Sequence, residues 1–199
     1  AWYTSTAPVL GDLQLLNPEK FSLGHDRPLW AETIIEYVRS NGIPNVVLVA
    51  RWSGYYKGIL NESIENGTGI ADFNSNLLKT VNALQNAGAL VWIFKEVPNH
   101  KVFVPKALIK KELFGTDISQ YTCDLNELIS QNIYFDEMEA KLVLAGAKIL
   151  DASDFLYNKD HNNYLMEYQG TALYYDNQHL TIEGAEKISG IFEPIFYKK

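Results

Sequence analysis

Asn45-Val-Val-Leu-Val-Ala-Arg-Trp52 is the stretch that decides the fold. It is apolar at consecutive rather than alternate positions, which predicts a parallel strand covered on both faces. Ala89-Leu-Val-Trp-Ile-Phe-Lys-Glu-Val-Pro98 predicts a second buried strand, Ala147–Leu150 a third, and Trp2–Thr6 a short one near the start. Helical patterns lie between them. Pro28–Ser40 places proline in a first turn, carries Leu29, Trp30, Ile34, Tyr37 and Val38 as an apolar stripe, and is followed by Gly42. Asn76–Asn86 repeats the pattern with Leu77, Leu78, Val81 and Leu84 and ends near Gly88; Tyr134–Ala145 closes at Gly146. Pro98–Gln131 reads as irregular apart from a short helix at Pro105–Leu113, and Ile182–Phe196 reads as a final helix. Strands separated by helical crossovers imply a parallel sheet, and so a three-layer α/β sandwich.

Composition sets the boundaries. The 199 residues, 47% hydrophobic and 21% charged, suit one globular domain and are too apolar for disorder. A net charge of −7 argues against nucleic acid or an anionic membrane as partner, because phosphate binding needs clustered Lys and Arg. The Lys106–Lys111 run is interleaved with Ala, Leu and Ile and reads as a helix face. One cysteine, Cys123, excludes an internal disulfide and any multi-thiolate metal site. His25, His100 and His161 lie far apart, without metal-ligand spacing, so no metal and no cofactor is expected.

The chemistry concentrates near the C-terminus, in Leu173-Tyr-Tyr-Asp-Asn-Gln-His-Leu-Thr-Ile-Glu-Gly-Ala185. Asp176 and His179, three apart on a turn, can meet at one point. The carboxylate then accepts from one ring nitrogen and leaves the other to take a proton from a nucleophile. The same residues also fit a plain structural role, Asp176 capping a turn and His179 lying on the surface or in the core. Thr181 reads as the cap of the helix that follows.

At this point the chain resembles the SGNH (GDSL-like) hydrolase superfamily, whose last signature block is D-x-x-H-L. The closer likeness is to SGNH domains of bacterial acyltransferase family three, which O-acetylate envelope sugars. The resemblance implies a flavodoxin-like sheet, with His179 as general base and Asp176 as its orienter. It further implies a carbohydrate acceptor, an acyl donor, a transmembrane acyltransferase domain N-terminal to this one, and a periplasmic location. The family's Gly-Asp-Ser block has no match: Gly11-Asp12-Leu13 carries Leu where the serine belongs. Trp2–Thr6 is therefore read as the second strand, with the serine strand upstream of Ala1 and residues 1–199 forming one N-terminally truncated domain. Because that first strand is central in a 2-1-3-4-5 sheet, an open slot beside Asn45–Trp52 is expected. The Gly-x-Asn-Asp block is missing too; Ala50-Arg51-Trp52 stands in its place.

Catalytic groups in such sheets gather beyond the strand C-termini. Three turns satisfy that rule: Arg51–Tyr56, Val97–His100 and Asp176–His179. Arg51 can hold an acyl or sugar oxygen, or pair with a carboxylate. Trp52 can stack on a sugar ring, or pack its loop. Tyr175, with Tyr157, Tyr164, Tyr168 and Tyr174, suggests a rim suited to carbohydrate, although tyrosines also simply cover loops. Ser53 is the one internal serine at a strand end, but it lies in no nucleophile elbow. Three readings follow: an O-acyltransferase, a catalytically inactive module binding glycan or a partner, and an esterase or deacetylase.

Overall fold

The computed structural model describes residues 27–54, 56 and 69–196. The Trp2–Thr6 strand, Gly11-Asp12-Leu13 and the slot expected beside them lie outside these residues. In chain order the helices are α1 (Arg27–Ser40), α2 (Gly69–Asn86), α3 (Val104–Phe114), α4 (Leu125–Leu144), α5 (Ser153–Leu156), α6 (Ile182–Lys187) and α7 (Glu193–Phe196). The strands are β1 (Asn45–Val49), β2 (Leu90–Phe94), β3 (Lys148–Leu150), β4 (Tyr157–Asn158), β5 (Asn163–Tyr164), β6 (Glu167–Tyr168) and β7 (Thr171–Ala172). The described residues divide into two compact units, those up to residue 94 with 134–149, and 95–133 with those from 150 on.

The first unit is built on the parallel sheet, in the order β1-β2-β3. Asn45 pairs with Leu90, and the register runs on to Val49 against Phe94. Consecutive neighbours are what strands three to five show in a 2-1-3-4-5 sheet. Phe73, Leu77, Val81 and Leu84 of α2 and Phe135, Met138 and Leu142 of α4 bury themselves with Val91 and Ile93. Each such side chain stabilises the fold by about 1.5–3 kcal/mol. α1 turns inward through Ile35 and Val38, whereas Leu29 and Tyr37 of the expected stripe are exposed. Gly88 and Gly146 end α2 and α4 with φ of 99° and 90°, a region that favours glycine.

Three helices differ from the sequence expectation, and the first of them, α2, begins at Gly69, seven residues before Asn76. α4 begins at Leu125, nine residues before Tyr134, because Asp124 and Glu127 form a reciprocal cap. The Asp124 carboxylate accepts the Glu127 N–H at 2.9 Å, and the Glu127 carboxylate accepts the Asp124 N–H at 3.0 Å. The final helix is interrupted: α6 stops at Lys187, a 3₁₀ turn covers Ser189–Phe192, and α7 follows. Gly190 lowers helix propensity there, and Pro194 lacks the N–H that a continuous helix would use.

The second unit holds α3, the start of α4 and α5–α7. Between α5 and α6 lie two short antiparallel pairs, β4–β5 and β6–β7, whose two-residue strands are too short to carry an alternating pattern. The last pair feeds directly into the Leu173–Ala185 stretch.

Candidate active site

Asp176 and His179 meet on a loop whose stem is closed by backbone pairing. Tyr174 and Leu180 form an antiparallel bridge, and the Tyr175 N–H donates to the His179 carbonyl at 3.0 Å. Within the loop, Asp176 Oδ1 accepts the N–H groups of Gln178 and His179, both at 2.7 Å. Its other oxygen, Oδ2, lies 2.6 Å from His179 Nδ1. Burial acts to raise the Asp176 pKa, but the two N–H groups and the imidazole outweigh it, and the carboxyl sits below its ordinary value. The His179 side chain is 55% exposed and that of Asp176 24%. With Nδ1 engaged by the carboxylate, Nε2 is the nitrogen left to exchange a proton. Tyr175 stacks nearly parallel on the imidazole, with 5.3 Å between centroids, and is itself 56% exposed.

A second segment holds this loop in place. The Asn177 carbonyl accepts the His100 N–H at 2.8 Å, and the Asp176 carbonyl accepts the Val104 N–H at 3.1 Å. Asn177 Nδ2 donates to Asn99 Oδ1 at 2.7 Å. Gln131 of α4 braces Asn99 from behind, donating to its carbonyl at 2.8 Å and accepting its N–H at 3.1 Å. Asn99, Gln131 and Asn177 were not singled out by sequence. The signal for Asn99 was its place in the Val97–His100 turn; an isolated Gln inside a helix offered none.

Gly184 is required by close packing. The Leu173 carbonyl accepts the Thr181 N–H at 2.9 Å, and a Cβ on Gly184 would stand 2.2 Å from that oxygen. Thr181 caps α6 as expected, its hydroxyl accepting the Gly184 N–H at 3.1 Å. Gly184→Ala must push a fixed backbone carbonyl aside, so we expect a loss of about 1–3 kcal/mol. A lowered midpoint in chemical denaturation checks this, and an unchanged midpoint would show that the loop yields freely.

The other candidates separate. Trp52 lies in the first unit, fully buried, its indole N–H donating to the Phe94 carbonyl at 2.8 Å and its ring tilted against Phe135. The sugar-stacking role is corrected: a covered ring has no free face. Arg51 is exposed in the same unit, and Ser53 is buried. The expected tyrosine rim is overturned only in part: Tyr164 and Tyr174 are buried, Tyr157 is half-buried against Tyr164, Tyr168 is exposed with the Lys187 ammonium over its ring, and Tyr175 is the ring stacked on His179. Cys123 is buried, and burial pushes its thiol up to about 12, far from nucleophilic use.

His100 is a core residue. Its Nδ1 accepts the Cys123 N–H at 3.1 Å, and its ring meets Tyr174 edge-on at 4.7 Å. Burial pushes its pKa down to about 4, against a weaker pull from the Leu165 carbonyl that does not amount to a well-formed bond to Nε2. Between about 4 and its ordinary 6.5 the unfolded chain binds the proton and the folded chain does not. Stability therefore rises with pH across that window and levels off above it. Urea midpoints measured from pH 4 to 7 should show this rise, and His100→Gln should flatten it.

The family description "SGNH domain (fused to AT3 domains)" matches residues 1–194. No curated protein sequence matches the chain significantly. Among solved structures, the periplasmic domain of a lipopolysaccharide acetyltransferase from Salmonella ser. Paratyphi A is similar, with a TM-score of 0.64 and 16% identity. The match covers 89% of this chain and 66% of that one, and at this identity it speaks for the fold alone. No described helix is long and apolar enough to cross a membrane. With a match of that length over an α/β chain that carries a D-x-x-H-L loop, the protein belongs to the family of SGNH domains that occur fused to AT3 domains.

Proposed function

We propose that Asp176 and His179 are the orienter and general base of an O-acyltransferase site that moves an acetyl or similar acyl group onto a cell-envelope sugar. The observation that carries this reading is the 2.6 Å contact between Asp176 Oδ2 and His179 Nδ1 on an exposed loop. In this reading His179 Nε2 takes the proton of a serine as its oxygen attacks the acyl carbonyl. The donor's leaving group receives that proton, and an acyl-serine forms. In the second half, Nε2 takes the proton of a sugar hydroxyl as its oxygen attacks the acyl-serine, and the serine recovers it. Asp176 keeps the Nδ1 proton in place and stabilises the imidazolium throughout.

The serine is proposed to come from sequence upstream of Ala1, since Gly11-Asp12-Leu13 offers no serine and Ser53 is buried. The native AT3 partner would sit in a membrane, and this domain on its periplasmic side. Labelling the complete native polypeptide with a fluorophosphonate and mapping the labelled peptide tests the assignment. Label on an upstream serine is expected. Label on Ser53, or transfer without any reactive serine, would overturn it and leave esterase chemistry or glycan binding as the competing accounts.

A further inference from the structure

The geometry points to a sugar-binding cleft in the second unit, away from the Asp176–His179 pair, that holds a neutral residue of the acceptor glycan; naming the acceptor rests on the acyl-transfer reading above. The cleft measures about 560 Å³ and lies between the end of α3, the turn that follows it and the β4–β5 hairpin. That volume falls within the roughly 300–1,000 Å³ of small-ligand sites. Its polar lining comes from Asp117, Ser119, Asn158, His161 and Asn163, and its apolar surface from Ile118 and Leu165, Met166 being almost wholly buried.

These groups are set up for hydroxyls. Asp117 Oδ1 accepts the Ser119 N–H at 2.9 Å and Oδ2 the Ser119 hydroxyl at 3.0 Å. The same two bonds hold the carboxyl below its ordinary pKa. A carboxylate has about four acceptor positions, so two remain for a pair of neighbouring hydroxyls. Asn158 Oδ1 accepts the Asp160 N–H at 3.1 Å, which leaves its NH2 to donate. The side chains of His161 and Asn163 make no hydrogen bond among the described residues.

Charge narrows the ligand further. Lys111 is a lining cation, but its ammonium is paired with the Glu167 carboxylate, and Asp117 adds a negative charge. An anionic ligand therefore meets no uncompensated positive charge, and an acyl chain would offer no partner to the Asn158 NH2, to the His161 and Asn163 side chains or to the open acceptor positions of Asp117. A pyranose offers hydroxyls for the amides and carboxylate, and a C–H face for Ile118 and Leu165. The cleft is also joined to the proposed catalytic loop. Met166 lines it, and the Met166 carbonyl accepts the Leu173 N–H at 2.9 Å, three residues before Asp176.

Amide-resolved NMR titration of the chain tests this, with methyl glycosides of hexoses, 6-deoxyhexoses and N-acetylhexosamines as probes and inorganic phosphate as the anionic control. Saturable shifts at residues 116–119 and 158–166 are expected with at least one glycoside and not with phosphate. Asp117→Ala and Asn163→Ala should each weaken that binding roughly tenfold, the equivalent of one well-made polar contact. His179→Ala should leave it unchanged. Silence of these amides with every glycoside, saturation by phosphate instead, or binding unaltered in both variants would overturn the inference. If acetyl transfer requires His179 while the cleft stays silent, the cleft fails and the catalytic reading stands. If a glycoside saturates the cleft while His179→Ala retains transfer, the catalytic reading fails and the cleft stands as a sugar site.

Discussion

His179→Ala lowers acyl transfer by the complete native polypeptide about 10³-fold or more, while the fold is retained. A base that both takes and returns the proton acts in two chemical steps, and general acid–base groups typically contribute 10²–10⁴-fold each time. The fold is expected to survive because the imidazole is more than half exposed and, among the described residues, contacts only the Asp176 carboxylate and the exposed Tyr175 ring. Steady-state transfer to a sugar acceptor, with circular dichroism of the variant as the control, checks both halves. Retained transfer would place the base elsewhere.

Asp176→Asn is the second large effect, and the loop geometry fixes its sign. Oδ1 accepts two backbone N–H groups at 2.7 Å, so the single carbonyl oxygen of asparagine must take that position. Its NH2 then faces His179 Nδ1 in place of Oδ2. A donor there forces Nδ1 to accept, which moves the ring proton to Nε2 and leaves Nε2 unable to act as base. A loss of about 10²–10⁴-fold is expected, from the wrong tautomer rather than a disordered loop. Near-normal stability together with the lost rate distinguishes this from unfolding, and imidazole nitrogen shifts of His179 report the tautomer directly.

The parallel sheet was legible because Val46–Val49 and Val91–Phe94 are apolar at every position; Val91–Phe94 is buried throughout as that pattern predicts, whereas in β1 Leu48 is buried and Val49 exposed. The Asp176–His179 turn was legible for a local reason: three residues and one carboxylate are enough to build it. The start of α4 was hidden because Leu125, Ile129 and Ile133 are exposed while Leu128 and Asn132 are buried, so the apolar spacing follows the outer face. Trp52 was ambiguous because an aromatic at a strand end suits either a ligand or a core, and only its bond to the Phe94 carbonyl decides. Tyr174 and Tyr175 are neighbours in sequence with opposite fates, since the extended stem of the loop turns one inward and the other onto His179. The Asn99–Asn177–Gln131 bracing joins residues from three separate segments, and amides carry no periodic signal.

One cycle of rates tests the central claim most directly: acyl transfer by His179→Ala, Asp176→Asn and the double variant, measured in the same complete polypeptide. If Asp176 acts only through His179, the double variant is no slower than His179→Ala, within about twofold. If the two losses multiply instead, Asp176 and His179 contribute independently and do not form a catalytic pair.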